Sequence, residues 1–141
     1  MLAVLDTNVL VSGLARYESS VTYAVVRTMG KAWDLAITPA VFLEYEDVLH
    51  RDAVRRLTGL SMQEVKQVLD FIAQAGLQIC IYYAWRPNLV DEGDNKFVDC
   101  AVTAGADYLV TGNVRHYRNS ELGPFDFKVV TPREFLAVLN L

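Results

Sequence analysis

The stretch that decides the fold is MLAVLDTNVL, residues 1–10, in which an apolar run meets a polar triplet. Residues 2–5 are apolar without interruption, which is typical of a strand that is buried on both faces of a sheet. Asp6 is the first polar residue after this run, and Thr7 and Asn8 follow it. The segment therefore predicts a strand that ends at an acid and leads directly into a helix.

Further apolar runs alternate with helix signals along the rest of the chain. The runs that we predict to be strands lie at residues 35–37, 77–83, 108–110 and 127–130. Thr38 precedes a proline, which is typical of a helix start, and Ser61 with Glu64 and Thr131 with Glu134 have the spacing of capping boxes. Strands that are separated by helices need crossover connections, so the pattern predicts an α/β fold with a parallel sheet of about five strands.

Two boundaries of these elements also follow from the sequence. Gly76 is a candidate C-cap for the helix that begins at Ser61, because glycine often ends helices there. Residues 84–93 contain proline, asparagine and glycine, so we expect a surface loop that leads into a helix over residues 94–104.

Composition limits the class of protein. The 141 residues are enough for one domain with its own core, so we expect a single domain over residues 1–141. A hydrophobic content of 52% excludes a disordered chain, and 17 acidic against 13 basic residues argue against an extensively basic surface. Cys80 and Cys100 lie far apart and form no CxxC pair, which argues against a disulfide scaffold or a zinc site.

Targeting signals are also missing from the sequence. No apolar run approaches eighteen residues, and the apolar start at residues 1–5 lacks a basic segment before it. We therefore expect a cytoplasmic protein with no membrane segment.

Acidic and amide side chains fall where the predicted strands end. Asp6 follows the first strand, Glu44 lies in the second turn of the helix after the second, Asp94 opens the helix before the fourth, and Asn113 follows the fourth. Ligands of open parallel sheets bind outside the carboxyl ends of the strands, so these groups can converge there. Clustered carboxylates repel each other unless a cation neutralises them, and Mg²⁺ prefers oxygen ligands. The pattern indicates metal-assisted phosphodiester hydrolysis.

Each acid taken alone has an ordinary alternative. Asp6 can serve only as a helix N-cap, and Glu44 can be a solvated helix residue. Asp94 can stabilise its helix through the dipole, and Asp99 is either an additional metal ligand or an exposed polar residue. Their joint placement favours the site.

Four motifs contain these polar residues: LDTNVL at residues 5–10, EYEDVL at 44–49, DNKF at 94–97 followed by Cys100 and Ala101, and ADYLVTGN at 106–113. In this order they resemble the PIN domain family, and more narrowly the VapC-like toxins of bacterial toxin–antitoxin systems. The resemblance covers nearly the whole chain. It implies a PIN-like three-layer α/β/α fold and an endoribonuclease that depends on Mg²⁺ or Mn²⁺.

The resemblance also implies roles for individual residues. Asp6, Glu44 and Asp94 match the catalytic, metal-binding acids, and Asp99 is an additional candidate ligand. In the implied reaction Asp6 and Asp94 hold the ion, while Glu44 orients the attacking water or acts as a base. Asn8 and Thr111 match polar residues that line the same pocket. Asn113 stands where the family often has a fourth acid, which puts tight binding of a second metal in doubt.

The expected partners follow from the same resemblance. They are an RNA substrate, a cognate antitoxin protein and a second copy of the chain in a homodimer. Side chains near the pocket that are candidates for RNA contact are those of Lys96, Arg115, Tyr117 and Arg118.

Two other functions remain open on the sequence alone. A catalytically weak PIN-like module that binds RNA or protein is suggested by Asn113. A phosphoacceptor resembling a response-regulator receiver has the same size and α/β alternation, but it needs an aspartate after its third strand and a lysine after its last. Here residues 83–85 are Tyr-Ala-Trp, and residues 131–132 are Thr-Pro.

Overall fold

A parallel sheet forms the centre of the computed structural model, which describes residues 1–15, 20–80, 95–118 and 126–141. Within these residues the strands are β1 (Leu2–Leu5), β2 (Asp34–Ile37), β3 (Leu77–Gln78), β4 (Tyr108–Val110) and β5 (Lys128–Val130). Their order across the sheet is β3-β2-β1-β4-β5, and every pair of neighbours is parallel. The predicted class, a three-layer α/β/α fold with a five-stranded parallel sheet, is confirmed.

Eight helices connect and flank the strands in the described part of the chain. They are α1 (Thr7–Leu14), α2 (Val21–Arg27), α3 (Pro39–Leu49), α4 (Asp52–Thr58), α5 (Met62–Ala75), α6 (Asn95–Ala104), α7 (Arg115–Arg118) and α8 (Pro132–Leu139). Helix α2 packs against both α1 and α8, and α3 packs against α5 and α6. None of the described helices has the length and apolar character that crossing a membrane requires.

The predicted helix starts are confirmed by their capping hydrogen bonds. Thr38 accepts a bond from the backbone N–H of Val41, which begins α3 directly after β2. Complete capping boxes begin α5 at Ser61 and α8 at Thr131. These side chains satisfy backbone donors that would otherwise lack partners, so they fix where each helix leaves the sheet.

The third strand and the end of α5 differ from the sequence prediction. The sequence predicts a strand over residues 77–83, but β3 ends at Gln78. Residues 81–83 of the predicted strand lie outside the described part of the chain. β3 is an edge strand whose two side chains are exposed, so little burial supports a longer ladder. Gly76 does follow α5, but its φ of −73° is not left-handed. A Cβ there would lie 2.9 Å from Cγ2 of Ile37, so close packing explains the glycine.

The connectivity creates a crevice at the carboxyl ends of β1 and β4. The chain passes from β1 to β2 and β3 on one side, and then crosses to β4 on the other side of β1. Ligands of open α/β sheets bind at such a reversal of strand order. The backbone N–H of Asp6 donates to Val110 O at 2.9 Å, so Asp6 and Thr111 leave the sheet side by side.

The strand order also excludes one of the alternative functions, the receiver-like phosphoacceptor. In receiver domains β1 lies between β2 and β3, whereas here it lies between β2 and β4. The receiver interpretation is therefore wrong.

The core lies between this sheet and its helices. Trp33, which is 2% exposed, precedes β2 and donates from its indole N–H to Val25 O in α2 at 3.0 Å. Its ring meets that of Phe135 of α8 edge to face, with centroids 5.4 Å apart. One buried aromatic side chain therefore ties the sheet to two helices.

Candidate active site

Asp6 is a buried carboxylate at the carboxyl end of β1. It is 6% exposed, and its Oδ2 accepts hydrogen bonds from Thr111 Oγ1 at 2.7 Å and Asn8 Nδ2 at 3.5 Å. Burial raises the pKa of Asp6, the bond from Thr111 opposes that rise, and the charge of Glu44 adds to it. Asp6 is the N-cap residue of α1, and the backbone N–H groups of Asn8 and Thr7 lower the pKa of its carboxylate, so Asp6 also interacts with the first turn of this helix.

Glu44 reaches the same edge of the sheet from α3. Its Oε2 accepts a hydrogen bond from the hydroxyl of Thr7, the residue after Asp6. Its Oε1 lies 2.7 Å from Lys96 Nζ, and the Glu44 side chain is only 22% exposed. Glu44 is thus half-buried and held by two donors, unlike its exposed neighbours Glu46 and Asp47.

Tyr45 fixes the position of α3 against β1. Its buried hydroxyl donates a hydrogen bond to the backbone oxygen of Leu5, the last residue of the strand. Burial raises the pKa of Tyr45 well above its ordinary value, with smaller contributions from neighbouring groups that include Asp6 and Glu44. The phenol therefore stays neutral at physiological pH and remains a donor. This bond brings the helix that carries Glu44 to the end of the strand that carries Asp6.

The segment after β4 completes the polar network around Asp6. Thr111 is fully buried, and its Oγ1 accepts a bond from the backbone N–H of Asn113 at 3.0 Å while it donates to Asp6. The N–H of Gly112 donates to Asn8 Oδ1 at 3.3 Å. Asn8 and Thr111 therefore join Asp6, whereas Asn113 itself is exposed.

Helix α6 supplies the remaining candidate acids. Asp94 lies outside the described residues, and the helix is described from Asn95. Asp99 is 6% exposed, which removes the alternative of an exposed polar residue. Burial raises the pKa of the Cys100 thiol to about 12, so Cys100 stays protonated at neutral pH and is not a nucleophile. Both described cysteines are free, as the sequence predicts.

The side chains that meet here are chemically suited to a hard divalent cation. Asp6 and Glu44 offer carboxylate oxygens at the same edge of the sheet. On α6, next to the Lys96 that pairs with Glu44, the buried Oδ1 of Asn95 receives no hydrogen bond from the described residues. Such oxygen donors fit Mg²⁺ or Mn²⁺. Among residues 1–15, 20–80, 95–118 and 126–141, however, no three His, Cys, Asp or Glu side chains form a group that could hold an ion. The third acid of the predicted set, Asp94, falls in the gap between these ranges.

The candidates for RNA contact have different surroundings. Arg115 is exposed at the start of α7, while Lys96 is paired with Glu44. Tyr117 is 3% exposed and belongs to the core, so its ring has no free face for a base, and the prediction that it contacts RNA is wrong. The ring is buried because an aromatic side chain has a large apolar area that is stabilised by packing in the core. The side chain of Arg118 lies outside the described part of the chain.

Two residues of the site were not predicted from the sequence. Thr7 holds Glu44 and Tyr45 holds α3, and the sequence predictions assign a role in the site to neither residue. Thr7 has a signal that could have identified it, namely its place directly after the acid at a strand end. No comparable signal exists for Tyr45, because a tyrosine on the buried face of a helix is usually ordinary core.

Comparison with known proteins places this geometry in a family. The sequence model of the PIN domain family matches residues 3–115, which is most of the chain and includes β1, α3, α6 and β4. The chain belongs to the PIN domain family. PIN domains are generally nucleases and generally use divalent metal ions. No curated protein gives a significant match to the sequence.

Solved structures share the fold of this PIN domain at low sequence identity. A chain from the crystal structure of VapBC2 from Rickettsia felis, bound to a DNA fragment from its promoter, superposes with a TM-score of 0.60 at 16% identity. That match covers 93% of this chain and 98% of the other. A chain from FitAB bound to an IR36 DNA fragment gives a TM-score of 0.58 at 16% identity, covering 92% of this chain and 94% of the other. At such identity the likeness concerns the fold.

Proposed function

We propose that this PIN domain is an endoribonuclease that depends on Mg²⁺ or Mn²⁺ and hydrolyses RNA phosphodiesters as the toxin of a toxin–antitoxin pair. The observation that carries the proposal is the buried Asp6 carboxylate, which lies beside Glu44 at the crevice between β1 and β4. Within the described residues Asp6 has no ion-pair partner of its own. Burying an uncompensated carboxylate is costly, and a bound cation would offset that cost.

The proposed ion would be held by Asp6 and Asp94, with Asp99 as an additional candidate. When bound, it would polarise a phosphoryl oxygen and lower the pKa of a water molecule. Thr111 and Asn8 keep the Asp6 carboxylate in one orientation through their hydrogen bonds. Glu44 is held by Thr7 and Lys96 at the same edge, where it can orient the attacking water or accept its proton.

RNA is the proposed substrate, and the protein is proposed to act in the cytoplasm. Arg115 and Arg118 follow β4 and would contact the RNA phosphates next to the crevice. Asn113 stands at the end of the same strand, where its amide can donate to a phosphate oxygen.

The antitoxin part of the proposal is supported by two observations. The solved structures with the same fold are those of VapBC2 and FitAB, each bound to DNA. In this chain an apolar groove of about 540 Å³ lies between α1, α2 and α5, with Leu14, Val26 and Phe71 among its lining residues. Phe71 is 51% exposed, and a large exposed apolar side chain in a groove is typical of a protein-binding surface.

We further propose that the chain forms a homodimer. Leu43, Leu57 and Met62, on α3, α4 and α5, are each more than half exposed. Covering such side chains with a second copy would remove apolar surface from water.

RNA cleavage by the purified chain tests the catalytic part. We expect cleavage of mixed RNA that requires Mg²⁺ or Mn²⁺, is abolished by EDTA, and falls by at least about 100-fold in Asp6→Asn, the range seen when one key electrostatic group is removed from an active site. The matched control is Asp70→Asn, an exposed acid on α5. Cleavage that survives in Asp6→Asn or ignores EDTA would overturn the assignment.

Expression in a bacterial host tests the toxin part separately. The wild-type chain should arrest growth and Asp6→Asn should not. A small protein encoded next to this chain should relieve the arrest when the two are produced together. Cleavage of RNA without growth arrest would support the nuclease proposal and overturn the toxin proposal.

A further inference from the structure

We propose that Lys96 is an internal counter-ion for Glu44, which keeps this carboxylate out of direct metal coordination, while Asp6 remains an acid that attracts the ion. Lys96 is then a positioning residue of the centre and not a contact for RNA. This inference rests on the proposed function and refines the roles of Asp6 and Glu44.

The geometry of Glu44 is the first step. Both carboxylate oxygens already accept a hydrogen bond from the chain, Oε1 from Lys96 Nζ at 2.7 Å and Oε2 from Thr7. The Lys96 side chain is 30% exposed and that of Glu44 22%. Each oxygen keeps a second lone pair, so what opposes coordination of an ion by Glu44 is the positive charge of Lys96, which lies at hydrogen-bond distance from Oε1.

The difference between the two acids is the second step. Glu44 is paired with an ammonium group, so together they carry no net charge. The donors to Asp6 within the described residues are neutral, namely the side chains of Thr111 and Asn8 and the backbone N–H groups of Thr7 and Asn8, and Asp6 is more deeply buried than Glu44. A divalent cation is therefore drawn to Asp6, where negative charge is uncompensated, and not to the neutral pair.

The consequence for the site is the third step. Lys96 neutralises Glu44, so this pair adds no net negative charge for a second divalent ion, and we expect one ion per chain. Glu44, held by Thr7 and Lys96, would be available to act on water when an ion is bound.

Mn²⁺ binding to the full chain, measured by calorimetry and by the EPR signal of free Mn²⁺, tests the inference. The set is the wild type, Lys96→Met, Glu44→Gln and the double variant, with Lys96→Arg as the conservative change. Lys66→Met, which removes an exposed lysine on α5, is the matched control. Thermal unfolding of each variant shows that it is folded.

The expected result is one Mn²⁺ per wild-type chain and binding that is tighter by about tenfold in Lys96→Met, equivalent to ~1.4 kcal/mol. Glu44→Gln should bind more weakly, because it leaves Lys96 uncompensated. The double variant should return to within about threefold of wild type, since it removes a neutral pair. Lys96→Arg and Lys66→Met should resemble wild type.

The opposite results separate this inference from the proposed function. A double variant that loses more than about tenfold in Mn²⁺ affinity would show that Glu44 is a direct ligand and would overturn the inference, as would unchanged affinity in Lys96→Met. In either case the nuclease proposal stands, provided that Asp6→Asn weakens binding. A wild-type chain that binds no Mn²⁺ at millimolar concentration would overturn both.

Discussion

The Asp6 carboxylate, which we propose to be catalytic, is a cost to the stability of the metal-free protein. Burial raises the pKa of Asp6 above its ordinary value of 3.8, which means that folding disfavours the ionised carboxylate. Below the ordinary value both the folded and the unfolded chain are protonated, and the cost is absent. As the pH rises through the folded pKa the cost becomes complete, so at neutral pH Asp6 destabilises the metal-free protein.

Asp6→Asn should therefore raise the melting temperature of the metal-free chain by a few degrees at pH 7, while it abolishes cleavage. The amide keeps an oxygen that can accept the bond from Thr111. The difference from wild type should shrink as the pH falls toward 4, because Asp6 then becomes protonated. Calorimetric scans in EDTA at several pH values measure this, with the exposed Asp70→Asn as control. A melting temperature that drops at pH 7 would contradict the argument.

At the scale of single elements, caps decide where the helices begin. The capping box of α5 joins Ser61 Oγ to the N–H of Glu64 at 3.1 Å, and Glu64 Oε1 to the N–H of Ser61 at the same distance. The box starts a helix of 14 residues whose apolar stripe, Val65, Leu69 and Ile72, is buried in the core. The position at which α5 begins therefore determines how its buried side chains pack in the core.

Ser61→Ala should lower the free energy of unfolding by about 1 kcal/mol, because the N–H of Glu64 loses its acceptor. Urea denaturation followed by circular dichroism gives this difference from the shift in midpoint at constant slope. Ser61→Asp keeps an acceptor at the N-cap and should retain most of the stability. Equal losses in the two variants would mean that the cap contributes nothing and that another property of the site was disturbed.

On the scale of the whole molecule, the chain is acidic and its proposed substrate is a polyanion. The net charge is −4, and Lys96 is already paired with Glu44. Arg115 is exposed and follows β4 by a short turn, at the end of the sheet where Asp6 lies. Arg115 is therefore the described cation from which we expect a contact with RNA phosphates.

Arg115→Gln, in an Asp6→Asn background that prevents cleavage, should weaken binding to single-stranded RNA and reduce the slope of log affinity against log salt by about 0.7. Fluorescence anisotropy over a series of salt concentrations measures both quantities. Lys128→Gln is the control, because Lys128 is exposed at the start of β5, the opposite end of the sheet. An unchanged slope in Arg115→Gln would remove this residue from the RNA surface.

The sequence by itself determined the order of the elements, their caps and the polar residues at the strand ends. These features depend on short-range physics, since an uninterrupted apolar run, a capping box or a proline after threonine acts within a few residues. The acid of LDTNVL was recognisable for the same reason, whereas the threonine of ADYLVTGN was identified from the resemblance to the PIN domain family. The short β3 escaped prediction because strand length depends on burial by distant segments.

Only the tertiary structure decided which groups meet and what each can do. Strand order excluded a receiver, packing buried Tyr117, and the pairing of Lys96 with Glu44 joined residues 52 positions apart. Tyr45 likewise reaches β1 across 40 positions. Contacts of this kind depend on how the whole chain fills its core, so no local pattern encodes them.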